Sequence, residues 1–184
     1  MRKQWGWESP ANRADRTANR YIYLDTPATI LEIGSGPGLL AEEILRSCSV
    51  RRYVLLDSST AMHDLAQERL LCFDVQAVYV PRDFRSKNWT DGLGLFDAVV
   101  TVQSVHEVRH WPHVAKLYQQ TVSVTRPGGY FLMADHYATP ENGRNPVLYF
   151  SREGQSKALR DAGFLDLSPG LDEGDMALYR ARQK

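Results

Sequence analysis

The chain has 184 residues, enough for one hydrophobic core, and we expect a single domain over residues 1–184. Hydrophobic residues make up 43% and charged residues 24%, an ordinary globular balance that argues against long disordered tracts. The 22 basic and 22 acidic side chains cancel to a net charge of zero, so no overall field attracts a polyanion, and a nucleic-acid substrate is not expected.

Neither export nor membrane insertion is expected. The first residues lack the apolar core of a secretory signal. Apolar runs such as Ala98–Val102 are far shorter than the roughly 20 residues that cross a bilayer. Cys48 and Cys72 lack the C-x-x-C spacing of redox or zinc sites and fall at helical apolar positions. We expect a cytoplasmic protein in which both thiols are reduced and belong to the core.

The chain alternates short β-branched runs with longer helical stripes, which is the pattern of an α/β fold. Residues 1–24 form a predicted N-terminal helical cap, with its helix near Pro10–Tyr21. A strand at Thr29–Ile33 then precedes a helix, and a second strand at Arg52–Leu56 precedes another. The apolar positions at helical spacing are Leu40, Ile44 and Cys48 in the first of these helices, and Met62, Leu65, Ala66, Leu70 and Phe73 in the second.

The second half of the chain continues the alternation. A third strand at Gln76–Val80 leads into a polar loop over Arg82–Leu95, and a fourth strand at Phe96–Val102 is apolar on both faces. A helix opened by Pro112 is ended by Pro127-Gly128-Gly129. The remaining predicted elements are a strand at Tyr130–Ala134, a helix at Ser151–Ala162, strands at Phe164–Leu167 and Met176–Arg180, and a turn at Gly170–Gly174 that pairs these two strands antiparallel.

A glycine loop joins the first strand to the helix after it. The sequence runs Ile30-Leu31-Glu32-Ile33-Gly34-Ser35-Gly36-Pro37-Gly38. Gly34 and Gly36 permit a positive φ and a close approach of the backbone to a ligand, and the amides that open the helix face it. A dinucleotide fingerprint requires its third glycine at position 39, where Leu39 stands, so a nicotinamide or flavin cofactor is disfavoured.

An acidic residue ends the second strand at a sequence spacing from this loop that is typical of nucleoside-binding folds. Asp57 lies 21 residues after Gly36, close to the ~20-residue spacing at which a carboxylate reaches the ribose hydroxyls of a bound nucleoside. Asp57-Ser58-Ser59 is also a good helix N-cap, and Met62 fits a helix core. For each of these residues taken alone, a structural role is the alternative.

The motif Glu32-x-Gly34-x-Gly36-x-Gly38 resembles the first motif of class I, Rossmann-like methyltransferases that depend on S-adenosylmethionine. The resemblance extends in the family's order over about residues 28 to 135. It implies an α/β fold with a seven-stranded sheet in the order 3-2-1-4-5-7-6, the last strand antiparallel and helices on both faces. The other stretches that carry it are Leu56-Asp57-Ser58-Ser59-x-x-Met62, Arg82-Asp83-Phe84, Phe96-Asp97-Ala98-Val99-Val100 and Arg126-Pro127-Gly128-Gly129-Tyr130.

The same resemblance implies S-adenosylmethionine as the cofactor and S-adenosylhomocysteine as its product. Asp57 would accept both ribose hydroxyls, Met62 would pack on the adenine, and Asp83 with Phe84 would meet the adenine edge. The full set of implied cofactor-binding residues is Glu32, Gly34, Ser35, Gly36, Gly38, Asp57, Ser58, Met62, Asp83, Phe84 and Gln103.

Residues just past the fourth and fifth strands should face the transferred methyl group, because ligands of a doubly wound sheet lie at the carboxyl ends of its strands. They are Gln103-Ser104-Val105-His106-Glu107 and Asp135-His136-Tyr137, with Tyr137–Phe150 and the N-terminal helix closing the pocket. An acceptor that must lose a proton requires a base. His106 is the first candidate and His136 the second, because imidazole titrates near neutral pH. A structural hydrogen-bonding role is the alternative for both.

A metal site is not predicted. His106, His110 and His113, with Asp135 or His136, would be the candidate ligands. Trp111-Pro112 interrupts the helical spacing that would place three imidazoles on one face, so we expect a solvated loop without zinc.

The N-terminal segment carries a second open question. Arg13, Arg16 and Arg20 share one helical face and follow Trp5 and Trp7. They indicate either a lid that recognises an anionic acceptor or a solvated amphipathic helix whose other side packs on the domain.

The chain is therefore predicted to be an enzyme that transfers a methyl group to a nitrogen or oxygen of a small metabolite or natural product. Family members that methylate exocyclic nitrogens of bases, or glutamine amides, usually carry an Asn-Pro-Pro-Tyr or Asp-Pro-Pro-Tyr segment after the fourth strand. This chain has Gln103-Ser104-Val105-His106 there instead. The alternatives are an RNA or protein methyltransferase, a non-catalytic cofactor-binding regulatory or partner subunit, and a nicotinamide-dependent dehydrogenase. We expect a monomer or homodimer with no nucleic-acid or membrane partner.

Overall fold

A computed structural model describes residues 27–146, 148–173 and 175–184. The predicted N-terminal cap and its tryptophans and arginines lie outside the described residues. In the described part the strands are β1 (Ala28–Ile33), β2 (Val50–Asp57), β3 (Gln76–Pro81), β4 (Phe96–Val102), β5 (Thr125–His136), β6 (Phe164–Glu173) and β7 (Met176–Gln183). The helices are α1 (Leu39–Ser47), α2 (Thr60–Leu70), α3 (Trp111–Val124) and α4 (Arg152–Ala162).

The strands form a seven-stranded sheet in the order β3-β2-β1-β4-β5-β7-β6. β1 pairs in parallel with β2 and with β4, whereas β7 pairs antiparallel with β5 and with β6. The predicted order and the antiparallel last strand are confirmed. Strand order reverses between β1 and β4, so their carboxyl ends border the crevice in which such sheets bind ligands.

The sheet separates two apolar layers. Leu31 and Ile33 of β1 pack in the layer that contains α3 and α4, while Ala28 and Ile30 pack in the layer that contains α1 and α2. Burial on both faces explains why the central parallel strands read as continuous apolar runs. No helix in this described part has both the length and the apolar character needed to span a membrane.

β5 and β6 are longer than the sequence indicates. β5 begins at Thr125, so Pro127-Gly128-Gly129 lies inside the strand and the prediction that it separates helix from strand was wrong. The pairing with β4 shifts between Phe96 and Ala98, and this irregularity accommodates the extra residues. β6 likewise runs to Glu173, and β7 begins at Met176. Most of the turn predicted at Gly170–Gly174 therefore lies inside β6, and this prediction was wrong.

The predicted buried stripe of α2 was partly wrong. Ala66 is buried as expected, but Leu65 is 47% exposed and His63 is buried instead. The helix begins right after its Ser59 cap, and this start turns the positions i, i+3 and i+7 from His63 inward. Cys48 is half-buried and Cys72 is exposed past the end of α2, so the core position expected for Cys72 was wrong. Both thiols are free.

Candidate active site

The glycine loop after β1 is held by the end of β2. The Gly36 N–H donates to Asp57 Oδ2 at 2.9 Å, and Asp57 Oδ1 accepts the N–H of Ser59 at 2.8 Å. Ser59 Oγ accepts the N–H of Met62 and caps α2. Asp57 therefore holds both the loop and the start of α2. The side chain that was predicted to bind the ribose also has this structural role.

The three glycines of the loop have positive φ for different reasons. Their φ values are 69° for Gly34, 51° for Gly36 and 77° for Gly38. A Cβ on Gly34 would lie 2.7 Å from Ser104 Cβ and closer still to its Oγ, and a Cβ on Gly38 would lie 3.0 Å from Ala66 Cβ. A Cβ on Gly36 would meet no described atom within 4 Å. Packing thus requires the outer two glycines, and the middle one borders open space.

A cavity of about 210 Å³ lies at the carboxyl edge of β1, β2 and β4. It brings together five predicted cofactor residues, namely Gly34, Asp57, Ser58, Asp83 and Phe84. It also includes three residues that the sequence analysis did not assign to the cofactor, namely Arg85, Ser104 and Glu107. The other predicted cofactor residues, which are Glu32, Ser35, Gly36, Gly38, Met62 and Gln103, do not line it.

Three of these other residues lie in β1, in the loop itself and in the first turn of α2. Glu32 is 3% exposed, and its Oε2 accepts a hydrogen bond from the Tyr53 hydroxyl at 2.9 Å. Ser35 is 4% exposed, and its Oγ has no hydrogen-bond partner among the described residues. Met62 is half-buried in the first turn of α2. Glu32 therefore already accepts a hydrogen bond from Tyr53, whereas the Ser35 hydroxyl has an unused donor.

Asp83 is already paired. Arg85 donates from Nε and Nη2 to its carboxylate at 2.9 to 3.0 Å. The hydrogen bond from Arg85 lowers the pKa of Asp83, and burial opposes this shift. Arg85 also lines the cavity, so the charge predicted to face an adenine edge is neutralised by its neighbour.

His106 lies in a short 3-10 turn after β4 and pairs with Asp135 of β5. His106 Nδ1 lies 2.8 Å from Asp135 Oδ1, and the carboxylate also accepts the backbone N–H of His106 at 3.0 Å and of His136 at 2.7 Å. A carboxylate only accepts, so Nδ1 is the donor and the ring's lone pair is on Nε2. The hydrogen bond to Asp135 raises the pKa of His106, and desolvation opposes it. Asp135 is 1% exposed.

His136 has partners at both ring nitrogens. Its Nε2 lies 3.1 Å from Gln103 Nε2, and its Nδ1 lies 3.0 Å from Asp175 Oδ1 and 3.1 Å from Arg144 Nη2. Gln103 has a φ of 52°, a backbone conformation that is uncommon outside glycine and frequent at functional sites. Both ring nitrogens of His136 are therefore in contact with neighbouring side chains.

A larger cavity of about 550 Å³ is lined in part by Tyr149, whose ring contacts His106. The rings of His106 and Tyr149 stack with centroids 6.0 Å apart and 24° between their planes. Glu107 lines the smaller cavity and has its Oε1 3.5 Å from His106 Nε2. His106 lines neither cavity, but it contacts one lining residue of each, Glu107 of the smaller and Tyr149 of the larger. The residues that line the larger one are Trp111, Ala138, Thr139, Pro140, Gly143, Arg144, Asn145, Pro146, Tyr149 and Ser151.

The histidines weighed as metal ligands are not assembled into a site. His110 and His113 contact each other, with ring centroids 6.2 Å apart, while His106 and His136 each have a carboxylate partner. Among the residues whose positions are described, no group of three or more His, Cys, Asp or Glu side chains is arranged to hold a metal ion.

The fold and the glycine-loop cavity define a Rossmann-like domain with a nucleoside-type cofactor site. The family model described as "Methyltransferase domain" matches residues 30–129, which is more than half of the chain. The chain belongs to this family, and the predicted resemblance to methyltransferases is confirmed. No curated protein matches the chain significantly.

Solved structures show the same fold at low sequence identity. The N-methyltransferase NodS from Bradyrhizobium japonicum WM9, in complex with S-adenosyl-L-homocysteine, has a TM-score of 0.74 at 17% identity, covering 96% of this chain and 89% of its own. A putative methyltransferase from Bacillus halodurans C-125 has a TM-score of 0.72 at 17% identity, covering 92% and 98%. An O-methyltransferase family protein from Burkholderia thailandensis has 0.74 at 14%, covering 95% and 55%. The chain spans only 50 to 66% of several such structures.

Proposed function

We propose that this chain binds S-adenosylmethionine at the glycine-loop cavity and methylates an oxygen or nitrogen of a small molecule held in the larger cavity. The observation that carries the proposal is that His106 contacts a lining residue of each cavity, Glu107 of the smaller and Tyr149 of the larger. Its Nδ1 is fixed on Asp135, which leaves the Nε2 lone pair for a proton.

The residues of the smaller cavity fit an S-adenosyl nucleoside. The Asp57 oxygens retain lone pairs beyond their two N–H bonds, enough for a ribose diol. Besides Asp83, which is paired with Arg85, Asp57 and Glu107 give the lining two further carboxylates, which suit a cationic sulfonium better than the pyrophosphate of a dinucleotide.

When bound, S-adenosylmethionine supplies a methyl group on a sulfonium sulfur, and its transfer forms a bond to the acceptor atom while the electron pair of the S–CH₃ bond passes to sulfur. The chain's part is to position the acceptor and to take its proton. His106 Nε2 accepts that proton, and Asp135 stabilises the resulting imidazolium through Nδ1. His136 Nε2 accepts from the Gln103 amide, and Asp175 holds Arg144 through its Nε.

Cofactor binding is tested by calorimetry and thermal unfolding with S-adenosylhomocysteine and with NAD. A ligand at 100 times its Kd adds about 2.7 kcal/mol of stability, so S-adenosylhomocysteine should produce a shift and NAD none. Asp57→Ala should abolish this shift, and Asp74→Ala, at an exposed carboxylate outside the cavity, should preserve it. Equal binding to the Asp57→Ala variant would overturn the cofactor site.

Catalysis is tested by methyl transfer to a library of small molecules. His106→Gln should lower kcat by about 10²- to 10⁴-fold, the range for loss of a general base. His113→Gln, at an exposed histidine outside both cavities, is the matched control and should keep full activity. Binding of S-adenosylhomocysteine without turnover on any acceptor would support the alternative of a non-catalytic subunit.

A further inference from the structure

We infer that the acceptor is a neutral, planar aromatic compound that carries a phenol-type hydroxyl, and that the larger cavity binds it. This inference rests on the proposed methyl transfer and adds the chemical class of the substrate. A cavity of about 550 Å³ is within the range of small-molecule sites. Three properties of the cavity support the inference: its flat walls, its balanced charge and the base beside it.

The walls present aromatic faces in fixed positions. Trp111 is 48% exposed, yet its Nε1 donates to the Pro146 carbonyl oxygen at 3.1 Å and its ring stacks on Phe150 with centroids 4.8 Å apart. Tyr149 supplies a second ring, which stacks on His106. Aromatic faces favour flat partners in stacked or edge-on contact, and rigid ones lose little entropy on binding.

The charge of this cavity is compensated. Arg144 is the one charged residue among its described lining residues, and its Nε donates to Asp175 Oδ2 at 2.9 Å. The guanidinium also lies over the Tyr149 ring, 5.0 Å from its centroid. A carboxylate or phosphate on the acceptor would meet no unpaired cation, and an ammonium group would meet no unpaired anion. The balance therefore favours a neutral ligand.

The base beside the cavity selects the reacting group. A phenol ionises near pH 10, close enough to imidazole for its proton to pass to His106 Nε2 as its oxygen bonds the methyl carbon. The S–CH₃ electron pair goes to sulfur, and His106 then releases the proton to solvent. A neutral aromatic amine needs no base before it attacks, so the His106–Asp135 pair would have no use with it.

The test is equilibrium binding to the chain loaded with S-adenosylhomocysteine, which has no methyl group to transfer. Three bicyclic probes of similar size are titrated by calorimetry: 2-naphthol, anionic 2-naphthoate and the non-planar decahydro-2-naphthol. We expect 2-naphthol to bind at least about tenfold more tightly than either of the others. Equal or tighter binding of 2-naphthoate or of the saturated alcohol would overturn the inference.

Variants assign the binding to this cavity. Trp111→Ala and Tyr149→Ala should weaken 2-naphthol binding about three- to tenfold, whereas Leu165→Ala, at a residue 46% exposed on β6, should leave it unchanged. Asp175→Asn removes the charge that balances Arg144 and should strengthen 2-naphthoate binding about tenfold. Unchanged affinities in these variants would place the probe elsewhere.

Binding of S-adenosylhomocysteine to each variant serves as the check of folding and separates the two proposals. If the parent chain binds S-adenosylhomocysteine but no naphthol, the substrate class is wrong and the cofactor proposal stands. If the parent chain binds no S-adenosylhomocysteine, the proposed function itself fails.

Discussion

Replacing Asp135 with asparagine tests the pair on which the proposed chemistry depends. The carboxylate accepts three hydrogen bonds, from the backbone N–H groups of His106 and His136 and from His106 Nδ1. Asparagine has the same shape but only one oxygen, so its NH₂ group must face at least one of these donors. The substitution therefore removes the charge and leaves one buried donor without a partner.

The size of the effect follows from this geometry. A buried donor without a partner costs about 1–3 kcal/mol, and exchanging a charge-assisted hydrogen bond for a neutral one costs about 1 kcal/mol more. We expect the free energy of unfolding to fall by about 2–4 kcal/mol in the Asp135→Asn variant, with Tm falling about 2–4 °C for each kcal/mol.

The loss of unfolding free energy in Asp135→Asn should depend on pH. Because the hydrogen bond to Asp135 raises the pKa of His106 above its unfolded value of ~6.5, the folded state holds this proton more tightly than the unfolded state. The extra stability is fully present below pH ~6.5 and is lost as pH rises through the raised folded pKa. The parent and the variant should therefore differ more at mildly acidic than at alkaline pH.

The assay is an NMR titration of the His106 ring protons, assigned by comparison with His106→Gln, together with urea denaturation at about pH 5.5 and about pH 8.5. The pKa of His106 should fall in Asp135→Asn. Asp172→Asn, at a carboxylate that accepts from the Tyr137 hydroxyl instead, is the control and should leave the pKa of His106 unchanged. An unaltered pKa of His106 in Asp135→Asn, or a stability difference that grows with rising pH, would refute the reasoning.

Three further predictions concern other parts of the chain. Gly34→Ala places a Cβ against Ser104 at a φ of 69°, so it should lower the free energy of unfolding by about 1–3 kcal/mol and weaken S-adenosylhomocysteine binding. Urea denaturation measures the first effect and calorimetry the second, and a double variant that also carries Ser104→Gly should partly recover both. Trp89 is fully buried with no described hydrogen-bond partner at Nε1, so Trp89→Ala should cost about 3–5 kcal/mol in urea denaturation and Trp89→Phe far less; equal costs would contradict this. Burial lowers the pKa of His63, so the stability that it contributes is present above pH ~6.5 and lost as pH falls; His63→Leu should flatten that part of the stability curve, and an unchanged curve would argue against it.

The fold and the grouping of residues around the glycine loop could be predicted because their signals are local. Gly34, Gly36 and Gly38 follow an apolar strand directly, and Asp57 ends the next strand at a spacing that the β-α-β unit fixes. The limits of β5 escaped prediction because a proline and two glycines ordinarily end strands, whereas here an irregular pairing with β4 keeps them in the sheet. His63 escaped because its burial depends on where the Ser59 cap starts α2.

The acceptor side could be predicted only in outline. His106 and Asp135 were both expected at the sheet edge that faces the methyl group, and Asp135 also as a possible metal ligand, but their pairing was not predicted. The two residues are 29 positions apart, and no spacing rule pairs residues on separate loops. The contacts of Arg144 with Asp175 and of Trp111 with Pro146 likewise join distant segments, so they depend on tertiary packing.

The two cavities draw on different stretches of the chain. Residues of the smaller cavity all fall between Gly34 and Glu107, inside the segment that the family model matches. Apart from Trp111, the larger cavity is built from residues 138–151, beyond the end of that segment. Under the proposed function, exchanging residues 138–151 between members of the family should change the acceptor and leave the cavity for the methyl donor intact.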